Sequence, residues 1–230
     1  MVESAQPPQA ASRVEETPDA DTMVVRRAGL SGYDTMWRAM MRFTHDRAAH
    51  TADEVWLLEH HPVYTVGLSC KDAGPFGPGG IPLVSSDRGG QITYHGPGQL
   101  VAYVMVDLRR RSLGVRALVD ALEQAVIDVL AAGGVAGERR AGAPGVYVGG
   151  RKIAALGLRV RRGCTYHGLS LNVDMDLEPF GRIDPCGYRG LEVTQLAALG
   201  LDTDMRRVGN ALVASLAEGL EYNRLVTGDW

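Results

Sequence analysis

Lysine is nearly absent from this chain. It occurs only at Lys71 and Lys152, and every other basic residue among the 230 is arginine. Arginine keeps its proton under all protein conditions, whereas lysine can be tuned to release one, so each lysine invites a physical reason. Cysteine is scarce as well. Cys70, Cys164 and Cys186 are odd in number and far apart, which excludes a disulfide framework and points to a reducing compartment. Cys164 and His167 have half a metal-site spacing, but no CxxC or HxxxH supplies a second half, so no metal centre is expected. GPFGPGG lacks the Gly-Lys-Ser/Thr ending of a phosphate cradle. Aromatic residues make up only 6% and do not interleave with basic ones, which argues against nucleic-acid binding. No apolar run approaches the roughly 18 residues a membrane span needs. The N-terminus has no apolar segment that could act as a signal peptide.

What is present describes a soluble, cytoplasmic protein, read here as a monomer. The chain is 45% hydrophobic and 22% charged, with a formal net charge of -3. Met1 to Asp21 is polar, acidic and proline-bearing and reads as a disordered tail. Residues 22–230 read as one α/β domain, a mixed sheet flanked by helices.

Apolar spacing predicts a first helix in SGYDTMWRAMMRFTHDRAAH, with Met36, Met40 and Phe43 on one face. EVWLLEHHPVYTVG is strand-like and broken by Pro62. IPLVSSDRGGQITYHGPGQLVAYVMVDL reads as strands joined by glycine turns. The clearest helix is GVRALVDALEQAVIDVLAAGG, with Leu118, Leu122, Val126, Val129 and Leu130 inward and Gly133-Gly134 as its stop. Gly149-Gly150 is a hairpin turn that places Lys152 at the start of a strand. TYHGLSLNV is a further strand, and DTD introduces a last helix, MRRVGNALVASLAEGL.

Four segments combine glycines with polar or reactive side chains: RGGQITYHGPGQ, GGRKIAALG, TYHGLSLN and DPCG. Glycine lets a ligand approach the main chain closely, and such segments suit an extended apolar ligand held by backbone N–H groups. Taken alone, Cys186 reads as a small buried hydrophobe, yet the Pro-Cys-Gly setting leaves its sulfur reachable. Lys152 alone reads as a solvated strand end; its rarity speaks for more. Together they suggest a nucleophile pair, the ammonium favouring the thiolate and the neutral amine able to accept a proton. His95 and His167 each precede a glycine and read equally as satisfied histidines or as site residues. Lys71 reads as facing solvent. Arg109–Arg111, Arg139–Arg140, Arg159 and Arg161–Arg162 read as solvated faces, or as a surface that steers an acidic protein partner.

In order and wording, RGGQITYHGPGQL, RKIAALGLRV, YHGLSLNV and PCG resemble the lipoyl(octanoyl) transferases over roughly residues 55–196. The resemblance implies a fold like that of biotin and lipoate protein ligases. It implies that Cys186 is the nucleophile and Lys152 its activating base. It also implies acyl-binding contacts at Arg88, Gly89, Gly90, Gln91, Ile92, Thr93, Tyr94, His95, Ala155, Leu156, Gly157, Gly168, Leu169 and Ser170. The donor would be octanoyl-acyl carrier protein. The acceptors would be lysines of the lipoyl domains of 2-oxoacid dehydrogenase E2 subunits and of the glycine cleavage H protein, with no cofactor. Three other readings compete: an ATP-dependent lipoate or biotin ligase of the same fold, a non-catalytic acyl-carrier-binding module, and a cysteine thioesterase.

Overall fold

Strands buried on both faces need apolar residues at nearly every position, and the middle of this chain supplies them. The computed structural model describes residues 21–70, 78–183 and 191–230. The expected N-terminal tail up to residue 20, Lys71 and the segment carrying Cys186 lie outside the described residues.

In chain order the elements are β1 (Thr22–Ser31), α1 (Tyr33–Asp46), β2 (Asp53–His60), β3 (Val63–Val66), β4 (Leu83–Ser85), β5 (Ile92–His95), β6 (Gln99–Met105) and α2 (Val115–Ala132). They continue with β7 (Glu138–Arg139), β8 (Gly145–Val148), β9 (Arg151–Arg161), β10 (Cys164–Asn172), α3 (Met205–Gly219) and β11 (Arg224–Thr227). Eight strands form a mixed sheet in the order β11-β1-β2-β6-β10-β9-β8-β7, and β4-β3-β5 form a small second sheet.

The period of two along the central strands divides their side chains between two helical layers. Val55, Leu57, Leu100, Ala102 and Val104 face α2 and α3, joining Leu118, Leu122, Val126 and Leu212 in one core. Trp56, Leu58, Val101, Tyr103 and Met105 face the other way, onto Met36 and Met40 of α1. Asp204 caps α3 by accepting the Arg207 amide at 2.8 Å, as the DTD sequence suggested. The β8–β9 turn falls on Gly149 and Gly150 with φ of 53° and 84°, the two positive values that a two-residue hairpin of this hand requires. No described helix is long and apolar enough to cross a membrane.

Two features escaped the sequence reading. β1 and β11 run parallel to each other, Thr22 beside Arg224, and extend the sheet past β2. The Arg109–Arg111 cluster, expected as a solvated face, is mostly drawn inward. Arg110 pairs at 2.6 Å with Asp53, a fully buried carboxylate that Arg47 also engages. Arg111 lies over the Tyr222 ring, 4.1 Å from its centroid. The reason for the position of Arg110 is the Asp53 carboxylate: a charge in a core demands counter-ions, and Arg47 and Arg110 supply them.

Candidate active site

β9 places the site. Its residues 154–161 pair with β10, but on its other edge β8 covers only residues 151–155. Farther along, that edge is met by the loop before β5, where the Gly89 amide donates to the Leu158 carbonyl at 3.0 Å. Arg88 fixes this loop. Its buried guanidinium donates to the Thr65 hydroxyl and carbonyl and to the carbonyls of Gly89 and Gln91 at 2.6–3.0 Å.

Loop, strands and α1 enclose a narrow slot of about 50 Å³. Of the predicted acyl contacts, Arg88, Gly90, Gln91, Ile92, Thr93, His95, Ala155, Leu156, Gly157, Gly168, Leu169 and Ser170 line it. Gly89 lines the neighbouring cavity instead, and Tyr94 packs its ring against Tyr64 and Phe180. That neighbouring cavity, about 300 Å³, shares Gly90, Gln91, Leu156 and Gly157 with the slot and contains Lys152. A larger groove of about 700 Å³ along α1, with Trp56 and Trp230 in its lining, holds none of the predicted residues.

Lys152 is 4% exposed, which removes the reading of a solvated strand end. Its Nζ donates to the Pro144 carbonyl at 3.1 Å and lies 5.2 Å from the centre of the Tyr147 ring. Gly145 makes this possible. It has φ of 137°, and a side-chain carbon there would meet the Ala154 carbonyl at 2.5 Å and Lys152 Cε at 2.8 Å. Glu123, a buried carboxylate on α2, accepts the Gly145 amide at 2.8 Å and fixes the peptide that holds the lysine. The backbone of Lys152 is held too: its amide donates to the Glu192 carbonyl and its carbonyl accepts the Thr194 amide, each at 2.9 Å. Cys186 and its proline and glycine neighbours lie outside the described residues; the chain re-enters the structure at Leu191, directly before this pairing.

The end of the slot away from Lys152 is walled by aromatic and imidazole rings. Tyr103 donates to His60 Nε2 at 2.5 Å, and His60 Nδ1 donates to the Ser31 carbonyl at 2.9 Å. His95 hydrogen-bonds Gln99 at 2.7 Å. His167 donates from Nε2 to Asp87 at 3.1 Å and adopts φ of 61°, an uncommon conformation for a side-chain-bearing residue in mid-strand. Burial raises the Asp87 carboxyl, but donors on His167, Tyr166 and Trp37 outweigh it and hold the group well below the usual carboxylate range. Asp87, Trp37, His60, Glu123 and Gly145 were not singled out in sequence. Glu123 alone left a signal there, an acid beside Leu122 on the apolar side of a helix.

Burial lowers His60 to about 4 and His95 to about 3. Unfolded, each returns to about 6.5. Between those values only the unfolded chain binds the protons, so this contribution to stability is complete above about pH 6.5 and is lost as pH falls toward the folded values. Each ring adds a slope of up to about 1.4 kcal/mol per pH unit. The urea midpoint should therefore decline below about pH 6.5, and His95→Gln should flatten the decline. An equally steep decline in that variant would contradict a neutral, buried His95.

A family model for the lipoyl protein ligase A/B catalytic domain matches residues 33–217. An octanoyltransferase of Thiobacillus denitrificans is 59% identical over 208 residues, covering 90% of this chain and 94% of that protein. The octanoyltransferase of Nitrosococcus oceani is 56% identical over 210 residues, covering 91% and 94%. The chain belongs to the octanoyltransferase family.

It is thus an acyltransferase of lipoyl metabolism, as the four motifs implied. The octanoyltransferase fold is the expected one. A bipartite lipoate protein ligase from Thermoplasma acidophilum superposes with a TM-score of 0.72 at 16% identity, over 91% of this chain and 86% of that one. A lipoate-protein ligase A bound with ATP gives 0.70 at 15%, over 91% and 87%. These two likenesses concern fold alone.

Proposed function

We propose that this octanoyltransferase moves an octanoyl group from octanoyl-acyl carrier protein to a lysine of lipoyl domains, through a thioester on Cys186. The observation that carries the proposal is the placement of Lys152. It is one of two lysines in the chain, it is buried in the cavity that adjoins the slot, and its backbone pairs with residues 192–194, a few positions after Cys186.

The Cys186 thiolate, favoured by the Lys152 ammonium, attacks the thioester carbonyl of the donor. The carbon–sulfur bond to pantetheine breaks as the bond to Cys186 forms. The departing thiolate takes a proton from Lys152, leaving that amine neutral. The lysine amine of the acceptor then attacks the enzyme thioester, Lys152 accepts the proton released, and the Cys186 thiolate leaves. The charges of both residues are restored. Exchange of a thioester for an amide runs downhill, so the reaction draws on no nucleotide. Arg88 shapes the loop that walls the slot, and Gly90, Gly157 and Gly168 line it. The acceptors would be the lipoyl domains of 2-oxoacid dehydrogenase E2 subunits and the glycine cleavage H protein.

The test is the intact mass of the protein after mixing with octanoyl-acyl carrier protein in the absence of ATP. A gain of one octanoyl group, discharged when a lipoyl domain is added, is the expected result. No adduct, with transfer only from free octanoate plus ATP, would replace the proposal with the ligase reading.

A further inference from the structure

The slot and Lys152 are joined by a buried polar chain in which each hydrogen-bond direction is dictated. Gln99 opens β6 and Asn172 closes β10, and the two residues are register partners, 1% and 5% exposed. Gln99 Nε2 faces the Tyr94 carbonyl at 3.3 Å and Asn172 Oδ1 at 2.9 Å. A backbone carbonyl only accepts, so the amide nitrogen of Gln99 points there and its Oε1 is left for His95, whose Nδ1 must carry the proton. At the other end Asn172 Nδ2 donates to the Thr194 carbonyl at 2.9 Å, again an acceptor only. Thr194 is the residue whose amide donates to the Lys152 carbonyl. The Asn172 side chain and the Lys152 backbone therefore hold Thr194 from two sides.

We infer that Gln99 and Asn172 are positioning residues for acyl transfer. They hold residues 192–194 against Lys152, and they tie that geometry to His95 in the wall of the slot. The inference rests on the acyl-enzyme reading above. Among the described residues neither bonds to the Lys152 amine; both act through the placement of residues 192–194. Reversing one hydrogen-bond direction while keeping side-chain size is enough to break the chain. In Asn172→Asp, an ionised carboxylate faces the Thr194 carbonyl and repels it. In Gln99→Glu, no donor remains for Asn172 Oδ1, and Asn172 must turn that oxygen toward Thr194 to satisfy the carboxylate. Protonation of either introduced carboxyl restores a donor, and burial makes such protonation easier.

The experiment measures single-turnover octanoyl-thioester formation for wild type and both variants between about pH 8 and about pH 5.5, with rates expressed as ratios to wild type. At the upper pH each variant should acylate about 30-fold more slowly, with KM for octanoyl-acyl carrier protein within about twofold. The ratio should recover at least about fivefold toward the acid end. Ratios near one at the upper pH, or a deficit unchanged by pH, would overturn the positioning role alone. A wild type that takes up no octanoyl group would overturn the transferase reading and this role with it. If Asn172→Asp does not fold, Gln99→Glu carries the same test.

Discussion

The Lys152→Arg and Lys152→Met variants should each lose about 10²- to 10⁴-fold in octanoyl transfer, the range expected when a positioned proton-transfer group is removed. The two substitutions fail for different reasons. Arginine keeps a positive charge but cannot give up its proton, so the second half-reaction stalls. Its larger head group also meets the Pro144–Gly145 peptide, where Lys152 Nζ already lies 3.1 Å from the carbonyl. Methionine fits the space and removes both charge and amine, so thiolate formation suffers as well. Rapid quench separates the steps: arginine, which still favours the thiolate but neither gives nor accepts a proton, should slow discharge of the octanoyl adduct more than its formation, whereas methionine should slow formation the more. Cys186→Ser completes the set, with no adduct expected by intact mass. Near-normal turnover in Lys152→Arg would remove the base role from this lysine.

Asp53→Ala should destabilise the protein by about 3–5 kcal/mol, since it leaves two guanidinium groups buried without their counter-charge. The carboxylate is fully buried. It accepts from Arg47, from Arg110 at 2.6 Å, from the Tyr222 hydroxyl at 2.6 Å and from the Asp107 amide at 2.9 Å. Burial, and then the charge of Asp53, push the Tyr222 hydroxyl well above its ordinary range, so it remains a donor. Tyr222→Phe removes only that donor and should cost about 1 kcal/mol. Urea unfolding of the three proteins measures both effects. A loss of similar size in both variants would mean that packing, not charge, dominates this part of the core. The position lies at the far end of β2 from the slot, so acyl transfer by the folded fraction should be little changed.

The sequence made the helices legible because their apolar spacing is local: Met36 and Met40, or Leu118, Leu122 and Val126, announce a buried face within one segment. The β8–β9 hairpin was readable from Gly149-Gly150 for the same reason. β1 was harder, since TMVVRRAGLS carries two adjacent arginines and the register shifts between Arg27 and Gly29. β11 is four residues long and largely exposed, too little to leave a pattern. Within the site, the glycine-bearing segments were legible as motifs, and the three that fall on described residues converge on one slot. The residues that hold them were not. Gln99 meets Asn172, and Asp87 meets His167, across long stretches of chain; only folding puts a donor beside its acceptor. The arginine cluster misled because exposure was inferred from residue type, while the one buried carboxylate that draws it inward sits on a distant strand.

The pairing of β1 with β11 also bears on how the chain reaches this state. β1 lies between β2 and β11, so one of its hydrogen-bonding edges is completed early and the other only once residues 224–227 have been synthesised. Contacts so distant in sequence form slowly, because loop closure must precede any gain from pairing. Throughout that interval the outer edge of β1 offers unpaired backbone groups to any other extended chain. Only the pairing of Thr22–Val25 with Arg224–Thr227 ends that exposure, so the last short strand closes the window in which nascent copies could pair with one another.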